Sequence, residues 1–242
     1  MISKSQIKLI TSLRQKKYRD KTGLFVAEGP KVILELLKAG FELHGLFSSE
    51  VITRPKENHY QISEAELKKI SFLSTANTAL AVFTIPTAAP LNEKGWVLAL
   101  DAVRDPGNLG TLIRLCDWFG IRQLICSKDT ADCYNPKVIQ ATMGSITRVS
   151  VHYVELTDYL QKTTLPVFGA CMEGTNVYKK TWPREGILVL GNEANGISGP
   201  VMKLLQEQVT IPQFGVKQET ESLNVATAGA ILLSEVRRST GK

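Results

Sequence analysis

Three short stretches of this chain combine residue types that can bind and orient a polar ligand. The first runs Asp105-Pro-Gly-Asn108-Leu-Gly110-Thr-Leu-Ile-Arg114, after the apolar run 96–103. Gly110 and Arg114 are four apart and share one face of a helix. Glycine in a first helical turn is unfavourable by about 1 kcal/mol against alanine, but it leaves room for a ligand to reach the backbone beneath a guanidinium. The second stretch is Gly191-Asn192-Glu193, which ends the apolar run 187–190. The third is Ile211-Pro212, followed after a loop by Ser222-Leu223-Asn224-Val-Ala226. Two apolar runs that stop at Gly and Pro read as buried strands delivering polar loops to one sheet edge. In open α/β sheets ligands bind at the carboxyl ends of strands. Gly191 and Gly196 have the spacing of a phosphate loop, but Ile197-Ser198 follow where Lys and Ser/Thr are required. No strand is followed by the glycine fingerprint of a dinucleotide site.

These loops need rigid elements behind them. Asn108 reads as the N-cap of a helix 108–119 that stops at Gly120, with Leu109, Leu112, Ile113 and Cys116 as its buried stripe. Strands at 97–101, 123–126, 149–153, 167–170, 187–190 and 209–211 alternate with helices at 135–143 and 156–162. A last helix opens at Ser222 with the stripe Leu223, Ala226, Ala230, Leu233 and Val236. Such alternation argues an α/β fold built on a mostly parallel sheet. A second stripe on the last helix, Val225, Ala228, Gly229 and Leu232, would need cover of its own.

Residues 86–95, with two prolines and no periodicity, read as a linker. The expected domains are 1–85 and 96–242. The first is a small α/β unit with strands at 24–28, 43–48, 60–62 and 79–85 and helices at 31–39 and 63–72, the latter opened by a Ser63/Glu66 capping box. Its first 21 residues carry Lys4, Lys8, Arg14, Lys16, Lys17, Arg19 and Lys21 against Asp20 alone, an excess equal to the net charge of +6 of the whole chain. Ile7, Ile10 and Leu13 give this segment a helical stripe. Lys4, Lys8, Arg14, Lys16, Lys17 and Arg19 are therefore candidate phosphate contacts, because clustered basic residues on one element are the footprint of nucleic-acid binding.

Composition excludes other classes. The opening MISKSQIKLI lacks the apolar core of a signal peptide, and no apolar run reaches the length of a membrane span. Cys116, Cys126, Cys133 and Cys171 show no C-x-x-C spacing and read as reduced thiols of a cytoplasmic protein. His44, His59 and His152 are isolated, so no metal site is expected.

The motifs N-x-G-x-x-x-R (Asn108 to Arg114), G-N-E-x-x-G-I-S (Gly191 to Ser198) and I-P…S-L-N-V-A (Ile211 to Ala226), in that order, resemble those of the SpoU (TrmH-like) branch of the SPOUT RNA ribose methyltransferases. The Phe25-Val-Ala-Glu-Gly-Pro-Lys31 run resembles the substrate-binding domain often found before them, itself similar to ribosomal proteins that bind kinked RNA. The loop 213–221 is longer than usual for the third motif. The resemblance implies a deep trefoil knot, S-adenosylmethionine as cofactor, a homodimer through the C-terminal domain, and methyl transfer to a ribose 2′-hydroxyl. It carries cofactor contacts onto Gly191, Ile211 and Leu223, with Ala170 at a neighbouring strand end. It gives Arg114 the central catalytic role, with Asn108, Glu193, Ser222 and Asn224 orienting the ribose and Arg114. A guanidinium hardly ever deprotonates, so gripping a phosphate and stabilising the oxyanion suits Arg114 better than acting as base. The separate N-terminal unit favours ribosomal (23S) RNA over the alternative, tRNA, and the intact motif residues favour an enzyme over a catalytically silent assembly factor; which group takes the proton stays open.

Overall fold

The computed structural model describes residues 1–50, 58–92, 94–215 and 222–240. Part of the loop 213–221 therefore lies outside the described residues. Contacts divide the chain into two units, Met1–Thr87 with Asp132–Thr147, and Ala88–Ala131 with Arg148–Lys242. The chain thus returns once to the first unit, which a single linker at 86–95 does not foresee.

In the first unit β1 (Leu24–Glu28) and β2 (Leu43–Ser48) flank β4 (Ala79–Thr84) antiparallel, and β3 (His59–Gln61) lies parallel beside β2. The described residues of 1–87 also form α1 (Lys4–Ser12), α2 (Lys16–Thr22), α3 (Pro30–Lys38) and α4 (Glu64–Ile70). The expected capping box is formed, Ser63 Oγ accepting the Glu66 N–H at 3.3 Å and Glu66 accepting the Ser63 N–H at 3.0 Å. The returning segment contributes α6 (Pro136–Thr142), which packs on β1.

The basic segment is two helices, not one, because Leu13 ends α1 as a fully buried C-cap. Lys4, Lys8, Arg14, Lys16 and Lys17 are exposed, but Arg19 is 2% exposed. Its Nε and Nη2 donate to Asp132 Oδ2 at 2.9 and 2.5 Å, and its Nη1 donates to the Leu13 and Arg14 carbonyls at 2.8 and 3.0 Å. Buried and making four hydrogen bonds inside the first unit, Arg19 is corrected from a phosphate contact to the internal anchor of the returning segment.

The second unit is a six-stranded, wholly parallel sheet: β5 (Trp96–Leu100), β6 (Gln123–Ser127), β7 (Ser150–Val154), β8 (Val167–Asn176), β9 (Gly186–Leu190) and β10 (Glu207–Thr210). Its order is β10-β8-β9-β5-β6-β7. The chain moves outward from β5 through β6 to β7, then resumes on the far side of β5. The order therefore reverses between β5 and β9, and a crevice opens at the carboxyl ends of strands at such a switch point. β5 and β9 are fully buried runs, as central parallel strands require. Helices α5 (Pro106–Trp118) and α9 (Val225–Thr240) pack together, while α7 (Leu156–Lys162) and α8 (Gly199–Met202) belong to the same unit. Gly229 lies so close to Leu112 and Leu190 that an added Cβ would come within 2.8 and 3.1 Å of their methyls. Gly229 and Leu232 are buried within this unit, which absorbs half of the second stripe expected on the last helix. Among the described residues, no helix is long and apolar enough to cross a membrane and no cluster of three metal-ligating side chains occurs.

Candidate active site

Helix α5 begins two residues earlier than its sequence suggests. Asp105 is the N-cap, its Oδ1 accepting the Asn108 N–H at 2.8 Å, and Pro106 takes the first helical position. Proline at that position loses no bond, because the first-turn amides have no helical partners. Asn108 is thereby freed from capping, and its side chain points out of the first turn. Helix α9 starts later than expected, at Val225, because Asn224 rather than Ser222 caps it. Asn224 Oδ1 accepts the N–H groups of Ala226 and Thr227 at 2.9 and 3.2 Å.

The two asparagines and one carboxylate form a line. Asn224 Nδ2 donates to Asn108 Oδ1 at 2.9 Å, and Asn108 Nδ2 donates to Glu193 Oε1 at 3.0 Å. Glu193 also accepts the backbone N–H groups of Arg104 at 3.2 Å and Asp105 at 3.1 Å. The loop after β9, the loop after β5 and the cap of α9 are thus tied across the switch point. Burial works to raise the Glu193 carboxyl, but the Asn108 side chain and the Arg104 and Asp105 amides outweigh it and hold its pKa below the usual 4.5. Glu193 is a fixed anion at neutral pH, fitted to orient Asn108.

Asn192 shapes the loop that carries Glu193. Its Oδ1 accepts the N–H groups of Ala194 and Asn195, and its backbone exchanges two 2.9 Å bonds with Gly196. An added Cβ on Gly191 would stand 2.1 Å from the Gly196 carbonyl carbon. The glycine is therefore required by the chain's own turn. Ala102, at the end of β5, has φ 58°, a left-handed conformation costing about 1–3 kcal/mol for a residue with a side chain. It is held from both sides, its N–H donating to Ser127 Oγ at 2.8 Å and its carbonyl accepting Asn192 Nδ2 at 2.6 Å. Asp101 Oδ2 accepts the Ser198 N–H at 2.7 Å and closes the far end of the same loop.

The remaining candidates are placed as follows. Arg114 is exposed and has no hydrogen bond or ion pair among the described residues. It lies about 9 Å beyond Asn108 along the helix axis, on another flank. That flank also carries Thr111 and Trp118, the latter 84% exposed. Ile211 is half-buried just past β10, Leu223 is 48% exposed beside the α9 cap, and Ser222 is exposed. No described hydrogen bond ties Ser222 into the Asn224–Asn108–Glu193 line. Ala170 is corrected: it sits inside β8, which runs on to Asn176, and not at a strand end. β8 extends because β10 pairs with it as far as Asn176, resuming after a register shift. The sequence reading missed Asp105, Ala102, Asn192 and Asp101. The Asp-Pro pair ahead of the apolar stripe was a visible sign of the first.

Residues 95–234 match the model of the SpoU rRNA Methylase family, and residues 4–81 match the MRM3-like substrate binding domain. The 23S rRNA (guanosine(2553)-2'-O)-methyltransferase RlmP of Bacillus subtilis is 30% identical over 234 residues, covering 93% of each chain. A TrmH-family protein of Porphyromonas gingivalis superposes with a TM-score of 0.89 at 38% identity over 98% of this chain and 99% of that one. An AdoMet-bound rRNA methyltransferase from Sinorhizobium meliloti superposes with a TM-score of 0.85 at 28% identity, covering 98% of this chain and 97% of that one.

Proposed function

The chain belongs to the SpoU rRNA methylase family, and from that premise we propose that it methylates a ribose 2′-hydroxyl of structured ribosomal RNA, 23S rRNA in particular, using S-adenosylmethionine. The observation that carries this reading is the Asn224–Asn108–Glu193 line at the switch point, with exposed Arg114 on the same helix making no hydrogen bond or ion pair among the described residues. The RlmP relative and the rRNA methyltransferase neighbour favour ribosomal RNA over tRNA.

The cofactor would lie at the ends of β9 and β10. Half-buried Ile211 and the exposed apolar Leu223 offer two surfaces able to hold a planar base, and the backbone of the tight turn at Gly191 would take up the polar end of the cofactor. When bound, the cofactor supplies an activated methyl group on a sulfonium. The protein's own task is alignment of the hydroxyl and stabilisation of the charge that develops on its oxygen. Asn108, fixed between Asn224 and an ionised Glu193, presents a set orientation to the ribose. Arg114 binds the neighbouring phosphate and stabilises the oxyanion, a role suited to the fork of a permanently charged guanidinium. Exposed Lys4, Lys8, Arg14, Lys16 and Lys17 of the first unit would contact phosphates elsewhere in the RNA.

We infer a homodimer closing on the exposed flank of α5. Trp118 is 84% exposed there, and Arg114 stands on the same flank, so closure would put the catalytic guanidinium at the seam. The trefoil knot belongs to the same reading; it would thread the chain after β9 so that the loops following β9 and β10 enclose the cofactor.

Arg114→Ala tests the assignment. Methyl transfer to rRNA should be abolished while calorimetric affinity for S-adenosylmethionine is nearly unchanged. A tenfold or greater loss of cofactor affinity would move Arg114 into the cofactor site and remove the proposed role. Mapping 2′-O-methyl positions in RNA from a strain lacking the gene would identify the nucleotide.

A further inference from the structure

Phe214 is 82% exposed and Tyr178 is 42% exposed, yet they meet each other: their ring centroids are 6.5 Å apart at 36°. We propose that this pair is a stacking platform for an unpaired nucleobase of the RNA substrate, a proposal that rests on the function argued above. Both residues come from the carboxyl ends of neighbouring strands. Tyr178 lies in the 3₁₀ turn Val177–Lys179 directly after β8, and Phe214 lies four residues after β10. That edge of the sheet also carries the Asn224–Asn108–Glu193 line. The turn is rigid. Asn176 Oδ1 accepts the Tyr178 N–H at 2.9 Å, Val177 is fully buried, and the turn packs against α9. The end of β10 is tied to β8 by Thr210, whose hydroxyl donates to the Met172 carbonyl at 2.8 Å.

The chemistry of the patch fits a base. Sequence-tolerant RNA contacts are made by aromatic faces on which unstacked bases lie, with basic groups following the backbone. Lys179, exposed beside Tyr178, supplies such a group in a chain of net charge +6. A second copy of the chain has its own candidate surface in the Trp118 flank of α5, and the adenine of the cofactor has Ile211 and Leu223. Those two occupants are the competing outcomes of the test.

The probe is a single-stranded RNA oligonucleotide carrying 2-aminopurine, titrated into the full chain while its fluorescence is followed. The wild type should bind and quench it. The Tyr178→Ala/Phe214→Ala double variant should bind about tenfold more weakly or worse, the loss expected when a base loses its aromatic support. Phe214→Trp should retain binding and quenching, which separates a lost ring from a misfolded loop. The slope of affinity against salt should stay the same in all variants, because no phosphate contact is removed. Unchanged RNA affinity and quenching in the double variant would overturn the proposal. So would a parallel loss of S-adenosylmethionine affinity, which would assign the rings to the cofactor, or a drop to monomer mass, which would assign them to a second copy. A wild type that methylates rRNA alongside a double variant of unchanged KM would sink the platform alone. A wild type that neither binds nor methylates RNA would sink the function with it.

Discussion

Replacing Arg19 by Met should destabilise the protein without touching RNA affinity directly. The side chain is 2% exposed and makes four hydrogen bonds, two to Asp132 and two to the carbonyls of Leu13 and Arg14. Methionine keeps the apolar stem but leaves a carboxylate, 15% exposed at its side chain, without its cation, and strips two carbonyls of their donors. Removing one partner of a buried ion pair costs about 3–5 kcal/mol. With a urea slope of about 2 kcal/mol per molar, the unfolding midpoint of the first unit should fall by about 1.5–2.5 M. The readout is urea unfolding at pH 7 followed by circular dichroism and by Trp-independent probes placed in that unit. Adding Asp132→Leu to Arg19→Met should return much of the loss, because an apolar replacement of both partners removes the stranded charge. An unchanged midpoint together with a clear loss of RNA affinity would refute the reasoning and return Arg19 to the phosphate-contacting set.

Asn224→Asp should separate the cap from the line: the carboxylate still caps α9, so stability should hold within about 0.5 kcal/mol, while an acceptor now faces Asn108 Oδ1 and methyl transfer should fall at least tenfold in kcat. Equal losses in stability and rate would mean that the residue serves only the helix. Because the folded pKa of Glu193 is depressed, its contribution to stability is fully present above the ordinary 4.5 and is lost as pH falls through the lower folded value. Glu193→Gln should therefore flatten part of the stability loss below that pH, as seen by calorimetric scans from pH 3 to 7. An identical acid limb in the variant would show that the carboxylate is not held as described. Light scattering at micromolar concentration should give a mass near twice the 26.7 kDa of one chain, and Trp118→Asp should shift it to the monomer; a single-chain mass for the wild type would refute the dimer.

Most strands and helices, and the polar residues at their ends, were legible from local pattern alone. The apolar run 187–190 that stops at Gly191 and the apolar run that opens at Trp96 became the central strands β9 and β5, and the Asn, Glu and Arg positions follow their ends. Local chemistry also settled the capping box at Ser63, where both bonds lie within four residues. Other assignments depended on groups far apart in the chain. Asn108 looks like a cap until Asp105 takes that place, and its true partners, Glu193 and Asn224, are 85 and 116 residues away. Arg19 has the appearance of a surface base in a basic segment, and only Asp132, 113 residues on, makes it internal. The stripe with Gly229 needs cover that the sequence cannot name, and it is the chain's own Leu112 and Leu190 that come close there, as Gly196 does at Gly191. Local propensity reaches a few residues along the backbone, whereas the neighbours of a side chain at a strand end are set by sheet order. The reversal between β5 and β9 was decided by the packing of the whole second unit.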